Sequence, residues 1–115
     1  MNVEEVREYC LSLPNVTEHF PFDDITLVFK IGSKMFALIS LENAVSINLK
    51  ASPEDAISQR EQYSDIIPGW HMNKMHWNTV YFNGKLSDKL LKQLIEDSYK
   101  LVHDKLTKKE KQQLI

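Results

Sequence analysis

The stretch ITLVFKIGSKMFALISLENAVSINLK, residues 25–50, contains three apolar runs that are separated by two short polar turns. Apolar side chains recur at every second position in these runs, which is the pattern of half-buried β-strands. Gly32-Ser33 suits a two-residue hairpin loop with glycine first, and Glu42-Asn43 is a second possible turn of the same length. The stretch therefore predicts three consecutive antiparallel strands, at residues 25–31, 34–41 and 44–50.

The two turns also predict which residues face each other, because a two-residue loop makes its flanking residues cross-strand partners. The first turn pairs Ile31 with Lys34, and the second pairs Leu41 with Ala44. Both registers predict the same core face, which consists of Leu27, Phe29, Phe36, Leu38, Ile47 and Leu49. The opposite face is predicted to be mixed in polarity, with Val28, Lys30, Met35, Ala37, Ile39, Ser46, Asn48 and Lys50.

One helix is predicted on each side of these three strands. Asn2 and Glu5 match the capping box of a helix over residues 3–13. Ser52 can cap a second helix, and Pro53 fits its first position, so we expect this helix to reach about residue 62. Acidic residues in the first turn of the second helix complement the positive end of its dipole.

The last part of the chain adds one strand and one helix. Residues 77–82 are predicted to form a fourth strand that the Asn83-Gly84 turn ends, and Ser87 can cap the last helix. The predicted order is α-β-β-β-α-β-α, an α+β fold with an antiparallel sheet of four or more strands and helices mainly on one face. Residues 107–112 are predicted to be a solvated terminus.

The composition fits a single domain that spans residues 1–115. The chain has 115 residues, of which 43% are hydrophobic, and this is enough for one core without disulfides or a metal. Its one cysteine, Cys10, cannot form an internal disulfide and fits a reducing compartment. The N-terminus lacks the regions of a secretory signal, and no apolar stretch is long enough to span a membrane. We therefore expect a cytoplasmic protein with no membrane partner.

The charge is unevenly distributed along the chain. The formal net charge is −2, which disfavours binding of nucleic acid by the surface as a whole. Residues 1–24 hold six acidic side chains and one basic one, whereas residues 86–115 hold seven basic and five acidic ones. Because the acidity is concentrated in the first segment, the composition is compatible with a local basic patch elsewhere.

The segment PGWHMNKMHWN, residues 68–78, holds the densest group of candidate functional side chains. Its aromatic rings can stack on bases, its lysine can meet phosphate, and its Asn and His side chains can hydrogen-bond a base edge or a sugar. Alternatively, Trp70 and Trp77 fill the core and the polar side chains close a loop. For Lys74 and His71, which lie in a predicted loop, we favour a functional role.

Lysines from other parts of the chain are candidates for the same surface. The predicted register places Lys30 and Lys50 on the face opposite the core, with Met35 between them, and it places Lys34 at the rim of the first hairpin. If Trp77 faces the same way, basic and aromatic side chains interleave there, as in surfaces that bind nucleic acid. The alternative is that these lysines are simply solvated.

The sequence contains no recognisable pattern of catalytic or metal-binding residues. Cys10 lies on the apolar stripe of the first predicted helix, and no Gly-x-Ser-x-Gly motif occurs. His71 and His76 do not have the i, i+4 spacing of a helical zinc pair, and no Cys-x-x-Cys is present. Three glycines in all leave no glycine-rich phosphate loop. We therefore predict no catalytic residues, no metal and no cofactor.

Several short motifs together resemble the MmcQ/YjbR family over nearly the whole chain. They are Pro21-Phe22, Lys34-Met35-Phe36, Leu49-Lys50, Pro53, the run 68–80 and Ser98-Tyr99. The resemblance implies a compact α+β domain similar to the frataxin-like (CyaY-like) fold, with a double-wing arrangement of hairpins, and it implies DNA binding. By position, it also implies a characteristic surface made of Lys34, Phe36, Lys50, His71, Lys74, Trp77 and Asn78.

We therefore expect a non-catalytic DNA-binding module that uses this basic and aromatic surface. Its lysines at positions 34, 50 and 74 would meet phosphate, and Trp77, His71 and Asn78 would contact bases or sugars. A second hypothesis is a protein-interaction or small-ligand module that uses the aromatic and methionine side chains of the same surface. A third is an enzyme whose site is formed by His71 and His76.

Overall fold

The structure is a computed structural model that describes residues 1–114 as helices around one antiparallel sheet. The strands are β1 Val16–His19, β2 Thr26–Ile31, β3 Lys34–Ser40, β4 Ser46–Lys50, β5 Ile66–Pro68 and β6 Trp77–Tyr81. The helices are α1 Val3–Ser12, α2 Pro53–Gln62, α3 Asp88–Asp104 and α4 Lys108–Gln113. The strand order is β1-β2-β3-β4-β6-β5, which confirms the predicted α+β class. No helix within residues 1–114 is long and apolar enough to cross a membrane.

The prediction omits three of these elements because their sequences carry weak signals. β1 has the sequence VTEH, and β5 has only three residues and ends at Pro68, which cannot donate to a ladder. Both strands lie at the edges of the sheet. α4 occupies the segment that we expected to be a solvated terminus, and its sequence KKEKQQ contains no apolar side chain. These elements depend on tertiary contacts rather than on local pattern.

A β-bulge in β3 changes which of its side chains face the core. Ile31 pairs with Lys34 as predicted, but Phe29 pairs with Ala37 instead of with Phe36. Phe36 is the extra residue, since the register shifts between this pair and the next. Because side chains alternate along a strand, one extra residue exchanges the faces of all residues beyond it.

The exchange makes the prediction wrong at three positions of β3. Ala37 and Ile39 lie in the main hydrophobic core rather than on the opposite face. Leu38 lies on the opposite face, beside Val28 and Trp77, rather than in the main core. The other five residues of the predicted core face are confirmed in the main core; they are Leu27, Phe29, Phe36, Ile47 and Leu49.

The register between β3 and β4 is also shifted by one residue from the prediction. Ile39 pairs with Ile47, and β4 begins at Ser46 rather than at Ala44. Ala44 has a left-handed φ of 54°, and its N–H donates to Ser40 O at 2.9 Å. The turn is therefore longer than the two residues that the sequence suggested.

The main core lies between the sheet and the helices α1 and α3. α1 contributes Val6 and Cys10, whereas α3 contributes an apolar stripe that includes Leu91, Ile95 and Val102. The capping box of Asn2 and Glu5 starts α1, as predicted. Burial raises the pKa of the Cys10 thiol to about 12, so Cys10 behaves as an apolar core residue rather than as a nucleophile.

The hydroxyl of Ser98 ties α3 to the bulge and to the end of β4. It donates to Phe36 O at 2.6 Å and accepts a hydrogen bond from the Lys50 N–H at 2.8 Å. Ser98 is fully buried. Removal of its hydroxyl would leave the buried Phe36 carbonyl and the partly buried Lys50 N–H without this partner, and such groups are costly in the interior.

We expect Ser98→Ala to lower the free energy of unfolding by about 2–4 kcal/mol, because each unsatisfied buried polar group costs roughly 1–3 kcal/mol. Denaturation by guanidinium chloride, followed by circular dichroism, measures the change. Ser58→Ala is the matched control, because Ser58 is exposed on α2. If the two substitutions had equal effects, the bridging role of Ser98 would be refuted.

Candidate functional site

The loop between β5 and β6, residues 69–76, folds back over the sheet face opposite α1 and α3. The Trp70 N–H donates to Thr79 Oγ1 at 2.9 Å, and the Asn48 side chain donates to Trp70 O at 3.4 Å. Met72 packs against a second, smaller apolar cluster on that face, which consists of Val28, Leu38 and Trp77 with Met35 at its edge. These contacts fix the loop on the sheet.

Beside this loop, a cleft of about 340 Å³ opens at the end of the sheet. The β2–β3 hairpin, the end of β4, the start of β6 and the end of α3 all contribute to it. Its lining residues are Ser33, Lys34, Met35, Lys50, Trp77, Val102 and Lys105. We refer to it as the lysine cleft. Met35 and Trp77 also belong to the cluster that Met72 contacts, so the lysine cleft and the loop are neighbours.

The lysine cleft concentrates positive charge. Lys34, Lys50 and Lys105 line it, and its lining among the described residues includes no carboxylate. Desolvation by burial lowers the pKa of Lys50, and repulsion from Lys105 and Lys34 lowers it further. The Lys50 ammonium lies 5.9 Å from the centre of the Trp77 ring, and the Lys34 ammonium lies 3.4 Å from Lys105 O. This arrangement can accept an anion, because a negative ligand would relieve the repulsion among the lysines.

The hairpin wall of the lysine cleft is held in place by α4. Glu110 Oε2 accepts hydrogen bonds from the Ser33 N–H at 3.2 Å and from the Ser33 hydroxyl at 2.9 Å. Gly32 has a φ of 59°, and a Cβ atom there would lie 2.9 Å from the same carboxylate oxygen. The tip of the hairpin therefore needs glycine at this position, and Glu110 positions the wall.

The structure brings together three of the seven residues of the predicted surface, namely Lys34, Lys50 and Trp77. Trp77 lines the lysine cleft but exposes only 6% of its surface, so little of its ring is free to stack on a base. The other two residues with surface positions, His71 and Lys74, lie on the neighbouring loop. Lys74 donates to Gly69 O at 2.9 Å.

Phe36 and Asn78 do not lie on the predicted surface. Phe36 is fully buried in the main core, where its ring contacts the edge of Tyr99. Asn78 is 1% exposed, and its amide donates to Ala56 O and Gln59 Oε1, both at 3.1 Å. Asn78 thus anchors α2 to β6 from the core face. Its Oδ1 has no hydrogen-bond partner in the described part of the chain.

The sequence prediction missed Lys105, and it left open whether Trp70 fills the core or lies on the surface. Lys105 is the C-cap of α3, and it enters the lysine cleft because Val102, one turn earlier, packs in the core. Trp70 is the exposed indole of the loop, with 66% of its surface accessible. Its ring meets the edge of the His71 ring at a centroid distance of 4.8 Å, and His71 has a left-handed φ of 58°. Lys105 follows the apolar stripe of α3 by one turn, and this position could have indicated that it lies at the edge of the core.

Within residues 1–114, no group of three or more His, Cys, Asp or Glu side chains could hold a metal ion. His71 contacts Trp70, as described above. The region is therefore defined by ammonium groups and apolar side chains rather than by metal ligands. Its ammonium groups can bind an anion next to an exposed aromatic ring.

The geometry defines the protein as an α+β domain with a basic cleft beside an exposed aromatic loop. A family model described as YjbR matches residues 11–101, and the chain belongs to the YjbR family. It is 41% identical over 112 residues to an uncharacterized Escherichia coli protein, YbdF, and this match covers 96% of the chain and 92% of YbdF. It is 33% identical over 116 residues to Escherichia coli YjbR, which is also described as uncharacterized. This match covers all of the chain and 98% of YjbR.

Solved structures of similar proteins share the fold. A crystal structure of a Deinococcus radiodurans protein superimposes with a TM-score of 0.90 at 40% identity, covering 98% of this chain and 87% of that one. A crystal structure of a Pseudomonas syringae protein superimposes with a TM-score of 0.75 at 32% identity, covering 88% of this chain and 98% of that one. These similarities confirm the family resemblance and the fold.

Proposed function

We propose that the protein is a non-catalytic DNA-binding module in which Lys34, Lys50 and Lys105 contact phosphate. The observation that carries this proposal is the convergence of three lysines, from distant parts of the chain, in a cleft whose lining has no carboxylate among residues 1–114. The acidic side chains that give the protein its net charge of −2 are concentrated elsewhere, in residues 1–24. A local basic site can therefore bind DNA despite the overall charge.

The loop 69–76 supplies a second contact in this proposal. Trp70 exposes its indole and can stack on a base, as exposed aromatic residues do in proteins that bind single strands. Its backbone is hydrogen-bonded to Asn48 and Thr79, which are two residues along their strands from Lys50 and Trp77. At about 3.4 Å per residue, this separation along the strands is about 7 Å, so the aromatic loop is anchored close to the lysine cleft.

The double-wing arrangement that the family resemblance implies forms part of the same proposal. The β2–β3 hairpin and the loop 69–76 flank the lysine cleft, and they would act as the two projections that hold a strand between them. We propose that the protein works in the cytoplasm, where its one cysteine would stay reduced.

A second candidate function is the binding of a protein partner by the same loop. Trp70 and Met75 are both large and exposed, and tryptophan and methionine are enriched at protein interfaces. Binding of this kind would depend on apolar burial rather than on charge. Its dependence on salt would accordingly be weak.

Fluorescence anisotropy of labelled single- and double-stranded DNA tests the DNA-binding proposal. Three phosphate contacts predict that the affinity for duplex DNA falls about 40-fold between about 50 and 200 mM salt. For single strands the expected fall is about 20-fold. The absence of binding at the lower salt concentration would overturn the proposal. Binding that does not respond to salt would favour the protein-partner alternative.

A further inference from the structure

We propose that the lysine cleft is a receptor for a phosphomonoester, such as the phosphorylated end of a nucleic-acid strand, rather than for an internal phosphodiester. This inference deepens the proposed function and rests on it for the choice of a strand end as ligand. A phosphorylated small molecule carries the same phosphomonoester group. Comparison of a nucleoside monophosphate with phosphorylated strands distinguishes these two ligands.

The concave shape of the site favours a terminal group. The lysines lie on three different elements around one cavity of about 340 Å³, which is near the lower limit for small-ligand pockets. An internal phosphodiester continues into sugar on both sides, so the open side of the lysine cleft would have to accommodate two chains. A terminal phosphate continues on one side only, and it can enter the cavity while the rest of the strand stays outside.

The charge of the site also favours a terminal group. A phosphomonoester carries about −1.5 to −2 charges at pH 7, whereas an internal phosphodiester carries a single negative charge. Lys34, Lys50 and Lys105 together carry three positive charges in one cavity. A ligand with nearly two negative charges therefore relieves more of their mutual repulsion than a ligand with one.

The hydrogen-bonding capacity of the site matches the same ligand. A phosphomonoester presents three terminal oxygens, and three ammonium groups line the cavity. The remaining walls include Met35, Trp77 and Val102, which are apolar and offer the ligand no further charge. The Ser33 hydroxyl already donates to Glu110, so the lysines supply the donors.

Intrinsic fluorescence of the Trp70→Phe variant tests the inference. The chain has two tryptophans, so this variant retains only Trp77, which lines the cavity. The probes are thymidine 5′-monophosphate, thymidine, and single strands with or without a 5′- or 3′-terminal phosphate. We expect the monophosphate and the phosphorylated strands to change the fluorescence saturably, and thymidine to have no effect.

Two further variants, made in the Trp70→Phe background, locate the binding. Lys50→Gln should weaken binding of the monophosphate about tenfold, as expected from the loss of one charge-assisted hydrogen bond. Lys92→Gln makes the same change of charge on an exposed part of α3 that does not line the cavity, and it should bind as the parent does. Thermal unfolding of all variants verifies that they are folded.

The outcomes distinguish this inference from the proposed function. Equal affinity for strands with and without a terminal phosphate would overturn the inference and leave DNA binding intact. Binding of the monophosphate, together with no binding of any strand by the unmodified protein, would support the phosphomonoester site and overturn DNA binding. Absence of any response to the monophosphate and to the phosphorylated strands would overturn the inference, and so would an equal loss in the Lys92→Gln variant.

Discussion

Replacement of all three cleft lysines by glutamine is expected to weaken DNA binding by about 100-fold or more at low salt. Each of Lys34, Lys50 and Lys105 is proposed to make one charge-assisted contact with phosphate, which is worth roughly 1.5–3 kcal/mol. The three lysines line one cleft, so the effects of replacing them do not simply add. In a plot of the logarithm of the binding constant against the logarithm of the salt concentration, the slope should become smaller by about 3, since each phosphate contact contributes about 1.

A second triple variant provides the control for this prediction. Lys85 lies just before α3, Lys89 and Lys92 lie in its first two turns, and all three are exposed. Their replacement by glutamine removes the same number of positive charges. Lys92 and Lys105 are about 20 Å apart along the helix, at 1.5 Å per residue. Fluorescence anisotropy with the same DNA compares the two variants. If both lost affinity equally, diffuse charge rather than the lysine cleft would account for binding.

Phe36→Ala is expected to destabilise the fold by about 3–5 kcal/mol, which is the usual cost of removing a buried aromatic ring. Phe36 is fully buried, and its ring contacts the edge of Tyr99. A domain of this kind has only about 5–15 kcal/mol of total stability, so the variant should be close to unfolding at 37 °C. Thermal unfolding followed by circular dichroism measures the loss.

Phe36→Leu separates the structural role of this residue from a binding role. It keeps an apolar side chain in the core and should retain most of the stability, because smaller changes of volume cost less. We expect it to bind DNA as the unmodified protein does, since Phe36 does not line the lysine cleft. Loss of DNA binding in a stably folded Phe36→Leu variant would show that Phe36 belongs to the interface after all.

The sequence predicted the helices whose capping residues lie in their own local sequence. α2 begins and ends at the predicted residues, because Ser52 caps it and Pro53 occupies its first turn. The capping box of α1 formed for the same reason. β1, β5 and α4 are short and weakly patterned, and their positions depend on contacts that are distant in sequence. An example is the contact of Glu110 with the hairpin.

The error in the sheet shows why two consistent registers can both be wrong. The bulge at Phe36 is held in part by Ser98, which lies 62 positions further along the chain. The sequence of the strand alone therefore does not indicate the bulge. The turn after β3 depends on the left-handed conformation of Ala44, which is unusual for alanine. Each effect shifts the register by one residue. The two predicted registers therefore agreed with each other and misplaced Leu38 together.

The residues of the candidate site that lie on the sheet could be predicted from the sequence. The residue that reaches the site through the packing of α3 could not. The pattern of the strands indicated that Lys34 and Lys50 could share a surface with Trp77, and the structure places all three in one cleft. Lys105 joins them only because α3 packs across the core. Trp77 and Trp70 are both aromatic residues of one segment, and only the structure shows that Trp70 is the exposed one.

Whether the lysine cleft and the loop 69–76 bind DNA can be tested by a map of amide chemical-shift changes in the ¹⁵N-labelled protein on addition of a single strand of about 10 nucleotides at low salt. We expect the largest changes to cluster at residues 33–35, at Lys50 and Lys105, and in the loop 69–76. Small changes are expected over α2. Changes centred on α2, or the absence of any change, would contradict the assignment of this surface as the DNA-binding site.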